Sequence, residues 1–523
     1  MVSRKHRVIT DTYADSVKLM QISSDVLESY DLEDASAVMG TENNRKQLSD
    51  ASLLDQDQLA DIDPDDLVMA VRGPEEIVSD ALDLMESQLS AGGSTGSATV
   101  EEIPPKSIER GVQQFEEANL ALISVPGEYA PQEAWKALNQ GLHVQLFSDN
   151  VDIETERALK QHGRQEELLV MGPDCGTAII NNVPLGFANS VSEGNIGLVS
   201  ASGTGLQEVS SLIDRAGYGI SQAIGTGGRD LKDEVGGVGM LQGIDALVGD
   251  SDTEVIVLIS KPPGPKTRDK LLKAASECPK PTVVNFIGTS VDGVDTDHVV
   301  IGETLEDTAR EAVSQAPGPD TEGETFTQKM GLNEQSMPEV LSKRSSPETS
   351  RKYVRGLYTG GTLCSEAISM LDGELETIGS NLSLGEPMDE PLVPSGHTIV
   401  DLGEDELTQG RPHPMIDPEL RDEQIQQATR DSEVLVVLFD VVLGHGAHAN
   451  PAEGIADAIS GMEDNEWPIL VASVTGTESD PQGLSNQVQT LRDAGVHVAK
   501  SNAEAVQTTK LIHSAVQNRG VYE

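Results

Sequence analysis

Residues 196–205 read IGLVSASGTG, and LQEVSSLIDRAG follows directly. IGLVS is a short apolar run of strand character, and LQEVSSLIDR carries its apolar residues at helical spacing. Between them stand only Ala, Ser, Gly and Thr. At the carboxyl end of a parallel strand, glycines let the backbone turn sharply. The first N–H groups of the helix that follows have no internal partners. With the helix dipole behind them and the hydroxyls of Ser200, Ser202 and Thr204 nearby, these groups favour a phosphate or a carboxylate. An ordinary N-cap with small residues for close packing would use the same letters.

A second copy of the pattern separates the two readings. IGLVSASGTGLQEVSSLI at 196–213 resembles RGLYTGGTLCSEAISML at 355–371, with Gly203-Thr204 matching Gly361-Thr362 and Glu208 matching Glu366. Further on, KPTVVNFIGT from Lys280 resembles WPILVASVTGT from Trp467, each strand ending on Gly-Thr. Two matches in the same order describe an internal repeat. Two related domains of flavodoxin-like build can then present two helix N-termini, at Ser202, Gly203 and Thr204 and at Gly360, Gly361 and Thr362, to one anion between them.

Outward from the repeat, the fold class is α/β and multidomain. Residues 1–90 alternate strand-like and helix-like pieces, HRVIT, DASAVMG and DLVMAVRG among them, and form a small N-terminal α/β domain; 91–103 reads as a flexible linker. Residues 104–190 repeat strand and helix as a Rossmann-like, coenzyme A-binding-type domain with a parallel sheet. The first flavodoxin-like domain spans 193–316, and its sheet is expected to be parallel. A linker poor in apolar periodicity covers 317–350, and the second copy spans 351–523.

Composition limits the partners. Lys plus Arg number 36 against 87 Asp plus Glu, a formal charge of -51, and aromatics are only 3% of residues. Nucleic acid and anionic membrane surfaces are excluded as partners for most of such a surface. Apolar runs recur along the whole length, so the acid lies on a folded surface, and it suits a halophilic cytoplasm where salt screens self-repulsion. Cys175, Cys278 and Cys364 lie far apart, which points to neither a disulfide framework nor a metal site. No run approaches 18 apolar residues, and the expectation is a soluble, cytoplasmic protein.

Other residues invite chemistry. IGTGGRDLKDEVGG at 224–237 offers a Gly-rich turn with the fork of Arg229 for an oxyanion, or is a plain loop. Lys261 ends the strand VIVLIS at the sheet edge where ligands bind. DLGEDELTQGRPHPMIDP at 401–418 cannot be a helix interior; it is a rigid loop carrying Arg411 and His413. Glu208 and Glu366 lie one turn into their helices, either as solvated first-turn carboxylates or as groups that orient a partner. His445 and His448 follow a strand end without an obvious third metal ligand.

Taken together, GPDCGT, SASGTG, IGTGGRDLKDEVGG, GLYTGGTL, GRPHPMIDP and VTGTESDPQG resemble the FdrA family, from about Asp11 to near Ala515. That family is similar to the α-subunit of succinyl-CoA synthetase over roughly 118–315, followed by a domain like the ligase domain of its β-subunit. In those synthetases two helix N-termini face a phosphohistidine, and Glu208 falls where they keep a glutamate. The true ligases carry that histidine between glycines. Here VDTDHVVIG puts His298 in roughly that slot without them, leaving it a low-ranked phosphoryl carrier. The resemblance implies an AllF-like subunit of an oxamate carbamoyltransferase in allantoin and purine breakdown, working with other subunits and a carbamate kinase on small anionic substrates. Arg229, Arg411 and His413 would hold the substrate's carboxylate or carbonyl oxygen, with Glu208 and Glu366 beside the site. No cofactor is then required; coenzyme A or a nucleotide would enter only if the chain were instead an acyl-CoA ligase subunit borrowing an ATP-grasp partner. A non-catalytic scaffold is the third reading.

Overall fold

The computed structural model describes residues 2–91, 104–289, 298–318, 326, 351–461 and 468–519, except for positions 11, 13, 15, 31, 33, 52, 60, 61, 65, 389 and 410. The two linker stretches at 91–103 and 317–350 lie largely outside the described residues. The chain forms two compact units, one of residues 1–103 with 409–411, the other of 104–408 with 412–523.

In the first unit, β1 (Val2–Ile9), β2 (Asp34–Met39) and β3 (Leu67–Pro74) make an antiparallel sheet of order β1-β3-β2. Helices Ser16–Ser29 and Val78–Ala91 cover it. They bury Leu19, Ile22, Val26, Ala81, Leu82 and Met85 against Leu67, Met69 and Val71.

The second unit holds three sheets. β4 (Leu120–Ile123), β5 (His143–Leu146) and β6 (Val170–Met171) run parallel. The next sheet contains β7 (Thr177–Ile180), β8 (Val183–Gly186), β9 (Glu193–Ser200), β10 (Ile220–Gly225), β11 (Val255–Ser260), β12 (Thr282–Phe286) and β13 (Val299–Ile301). Its order is β13-β12-β11-β9-β10-β7-β8. Five strands are parallel, but β7 and β8 form an antiparallel hairpin at one edge, so this sheet is mixed rather than wholly parallel. Asn181 and Asn182, both at positive φ, make its two-residue turn, a conformation Asn tolerates well.

The third sheet contains β14 (Tyr353–Tyr358), β15 (Ile378–Ser380), β16 (Glu386–Pro387), β17 (His397–Asp401), β18 (Val434–Val442), β19 (Ile469–Thr475) and β20 (His497–Ala499). Its order, β20-β19-β18-β14-β17-β15-β16, matches the second sheet strand for strand: β20 with β13, β19 with β12, β18 with β11, β14 with β9 and β17 with β10. The internal repeat is thus a repeat of topology. The difference lies at the far edge, where β15 and β16 are parallel and β7 and β8 are not. Both central strands, β9 and β14, are buried on both faces, which is why they read as unbroken apolar runs. One continuous core, from Ile196 and Leu206 to Tyr358, Leu363 and Ile512, joins the two copies. No helix of the described residues is long and apolar enough to cross a membrane.

Candidate functional site

In each seven-stranded sheet the strand order reverses at the strand that feeds the Gly-rich turn, the position where open α/β sheets bind ligands. From β9 the chain enters helix Gly203–Arg215, with Ser202 as N-cap and its hydroxyl accepting from Gly205 N at 2.9 Å. From β14 it enters helix Gly361–Leu371, with Gly360 as N-cap. These two starts meet. The Ser202 and Thr362 hydroxyls hydrogen-bond one another. A Cβ at Gly360 would sit 2.9 Å from Thr204 Cγ2, and one at Gly205 3.1 Å from Thr362 Cγ2. Asp440, wholly buried on β18, sets the second turn by accepting from Thr359 N (2.7 Å) and Gly360 N (2.8 Å).

Charged groups from neighbouring strand ends surround this junction. Lys261 follows β11; its ammonium lies 3.7 Å from Glu404 and would come within 2.9 Å of a Cβ at Gly361. Asp401, at the end of β17, crowds the same face of Gly361. Burial raises its pKa to about 7, with Lys261 pulling it down and Glu404 pushing it up. Asp174, from the GPDCGT turn, is open to solvent within a cleft that protein otherwise surrounds. That enclosure, then Asp149 and Asp405, raises it to about 7 against Lys261 and Arg229. Gly228 faces it: a Cβ there would lie 3.6 Å from Asp174 Oδ2.

The structure brings some of the sequence candidates together and leaves others apart. Ser202, Gly203, Thr204, Gly360, Gly361 and Thr362 come together at the junction. Arg229 is near Asp174, but part of its guanidinium is engaged, donating to the Val151 carbonyl at 2.7 Å and pairing with Glu156 at 3.0 Å. His413 packs on Phe187 with ring centroids 6.4 Å apart and accepts from Met415 N at 3.2 Å; burial lowers its pKa to about 4, so it is neutral at pH 7. Arg411 is exposed and groups with the first unit, whereas His413 belongs to the second.

Glu208 and Glu366 are placed differently from the solvated or site-facing carboxylates of the sequence reading. Both are 1–2% exposed and are engaged with the starts of other helices. Glu208 accepts from Asn502 N at 3.0 Å, the first residue of helix Asn502–Arg519, and from the Thr475 hydroxyl. Glu366 accepts from Leu305 N at 2.6 Å, the first residue of helix Leu305–Gln315, and from Asn502 Nδ2 at 2.7 Å. Each repeat therefore caps a helix of the other, which is a reason for the match other than contact with a ligand.

His298 is a correction. Its carbonyl accepts from Thr282 N, the first residue of β12, and it precedes β13. That is the amino end of the parallel strands, whereas both helix starts lie at the carboxyl ends, about 13 Å further on for four residues of strand. His298 is exposed there and does not reach the junction. The loop 290–297 before it lies outside the described residues. His445 donates or accepts at Ser190 Oγ (3.0 Å), and among the described residues no group of three or more His, Cys, Asp or Glu could hold a metal ion.

Sequence reasoning missed Asp174, Asp401 and Asp440 as site groups. Asp174 and Asp401 stood inside quoted motifs, the first just past β6 and the second as the last residue of β17, which was signal enough; Asp440 lies inside an apolar strand, where its burial alone marks it.

Comparison with known proteins follows this layout. A model described as AllF, heavy metal-associated domain matches residues 1–104, a CoA binding domain matches 191–288, and a CoA-ligase domain matches 357–512. The coenzyme A match thus falls on the sheet built around β9, not on 104–190. The heavy metal implied by the first match does not fit the residues present. The first unit contains no cysteine and His6 as its sole histidine, a poor donor set for a soft metal ion. For coenzyme A, the helix starts at Ser202 and Gly360 could take a phosphate, with Lys261 and Arg229 beside them among Asp149, Asp174, Glu404 and Asp405. ADP-forming succinate-CoA ligase subunit alpha 1 of Archaeoglobus fulgidus is 26% identical over 205 residues, 38% of this chain and 68% of the relative. The solved dinucleotide forming acetyl-coenzyme A synthetase 1 of Ca. Korarchaeum cryptofilum aligns over 85% of this chain and 95% of its own at 16% identity and a TM-score of 0.30, too slight a likeness to argue from. Uncharacterized protein YahF of Escherichia coli is 39% identical over 508 residues, 94% of this chain and 95% of that protein. At that identity and span, and with these three domains in this order, the chain belongs to the FdrA family, AllF-like and succinyl-CoA synthetase-like in build.

Proposed function

We propose that this CoA-ligase-like chain is the catalytic subunit of a group transfer from an acyl phosphate, carbamoyl phosphate being the donor and oxamate the acceptor. The observation that carries the proposal is the Ser202–Thr362 contact, which brings two helix N-termini to one point at the carboxyl ends of two sheets. Two dipoles meet there, and the first-turn amides not already taken by Ser202 and Asp440 favour the phosphate of a mixed anhydride, with no covalent carrier needed. The amide donors stabilise the leaving phosphate and the oxyanion of the tetrahedral intermediate. The acceptor nitrogen attacks the carbamoyl carbon, the C–N bond forms, the C–O bond to phosphate breaks, and the nitrogen's proton leaves to a base. Asp174, open to the cleft and raised to about 7, suits that base. Free Arg229 donors and Lys261 hold the acceptor's carboxylate.

A second reading, an acyl-CoA ligase subunit completed by an ATP-grasp partner, is supported by the CoA binding and CoA-ligase matches. It shares the same anion junction and differs in acceptor and in needing a phosphoryl carrier, for which His298 is badly placed. The deciding assay mixes the purified chain and its co-purifying subunits with carbamoyl phosphate and oxamate, in high KCl, and measures phosphate and oxalurate. Chain-dependent turnover supports the first reading. Absence of turnover, together with acid-dependent and coenzyme A-dependent ATP hydrolysis when an ATP-grasp subunit is added, replaces it with the second.

A further inference from the structure

Lys160 lies in helix Ile153–Gln165 and is wholly buried. In sequence it forms an i,i+4 pair with Glu156, a spacing ordinarily found on a solvated helix face. In the fold the pair is interior: both side chains are 0% exposed. The Lys160 ammonium donates to Glu156 Oε1 (2.9 Å), to the Thr226 carbonyl (2.7 Å) and to Asp230 Oδ1 (2.9 Å). Burial alone would lower its pKa, but Asp230 and Glu156 outweigh burial and raise it, so the group is charged. Glu156 pairs in turn with Arg229, making a set of two cations and two carboxylates.

We infer that Lys160 is a positioning residue: it clamps the turn 226–230 at both ends and thereby holds Arg229 and the Gly227-Gly228 backbone at the floor of the cleft. The inference rests on the proposed reading of that cleft as an anion site. Three facts carry it. Lys160 grips the first residue of the turn by its carbonyl and the last by its carboxylate, so the turn is fixed as a closed unit. The same Asp230 accepts from Gly239 N (2.9 Å) and Met240 N (2.8 Å), tying the turn to the start of helix Val238–Gly249. Gly227, at φ +82°, has no room for a side chain against the Pro173 carbonyl, so the turn between the two anchors packs directly on the loop that carries Asp174. A charge buried this completely is costly unless every partner is in place, which makes the turn's geometry depend on Lys160 rather than merely include it.

The test uses the full chain with oxamate, the acceptor whose carboxylate Arg229 holds, as probe, in Lys160→Met, Arg229→Met and the double variant, with calorimetric binding and hydrogen exchange of the 226–230 amides. Each single variant is expected to weaken oxamate binding about tenfold, the loss of one charge-assisted contact. The double variant is expected to be no weaker than Arg229→Met, because the two substitutions remove one arrangement. Lys160→Met is also expected to speed exchange of the 226–230 amides while distant core amides stay protected. Lys160→Gln, which keeps the bond to Thr226, replaces the Met variant if the latter does not fold. Unchanged exchange at 226–230 overturns the clamp, as does a double variant whose losses multiply. Wild-type protein that binds no oxamate overturns the reading of the cleft, while the exchange data still decide whether Lys160 holds the turn.

Discussion

Replacing Glu366 by Gln should reverse the sign of a stability difference across the neutral range. The carboxyl is 2% exposed and lies among Leu305 N, Asn502 Nδ2 and the carboxylates of Glu208 and Glu306. Burial raises its pKa from 4.5 to about 7, the bonds from Leu305 and Asn502 pull it back, and Glu208 and Glu306 push it further up. Between those two values the folded chain holds a proton that the unfolded chain releases. The group's contribution is therefore fully present below about pH 4.5 and is lost as pH rises through about 7. A shift of 2.5 units, 7 minus 4.5, corresponds to about 3 kcal/mol in total, of which about 2 to 3 kcal/mol falls between pH 5 and pH 8. Glu366→Gln removes that slope. At pH 5 the variant should be less stable by about 1 kcal/mol, because its amide sets a donor against Asn502 Nδ2. At pH 8 it should be the more stable chain by about 1 to 2 kcal/mol. The assay is urea unfolding of both chains at about 1 M KCl, where screening within about 3 Å quiets the surface carboxylates. Fluorescence reports on Trp135 and Trp467, both in the second unit, and midpoints are compared rather than absolute stabilities, since two units need not unfold together. A stability difference that stays flat from pH 5 to 8, or that moves against the variant, would refute the assignment of a protonated carboxyl to this position.

Three further outcomes are expected. Gly361→Ala should abolish carbamoyl transfer and weaken phosphate binding at least about tenfold with the fold retained, because its Cβ would overlap Asp401 and crowd Lys261 at the mouth of the helix; wild-type binding by that variant would remove the helix start from the site. His298→Ala should leave phosphate release within about twofold of wild type, since His298 sits at the amino end of the sheet. A loss beyond tenfold would contradict that position. His413, held at about 4 by burial, contributes stability that is present above about 6.5 and lost as pH falls toward 4, and its ring proton resonances should not titrate between pH 5.5 and 8; a midpoint near 6.5 would show that the ring is open to water.

The α/β class, the repeat, its strand ends and the two glycine turns were legible in the sequence because each is a local signal. Buried parallel strands are unbroken apolar runs, and a sharp turn into a helix demands small residues, so IGLVSASGTG and RGLYTGGTL announce themselves without any neighbour. The hairpin at 177–186 went unread although Asn181-Asn182 is a local turn signal, and it changes an expected parallel sheet into a mixed one. What the two turns do to one another was not local. Ser202 meets Thr362 across 160 residues of chain, and only the pseudo-symmetric packing of two sheets brings them together. The same packing decided the carboxylates. Glu208 and Glu366 have the letters of site residues and the environment of caps, while Asp174 and Asp401 have the letters of ordinary acids and belong to the charged group around Lys261. Lys160 and Glu156 have the spacing of a surface pair and are buried. Sequence fixes where a charge can be along an element; its solvation, and hence its protonation and its work, belong to whatever the rest of the chain packs against it.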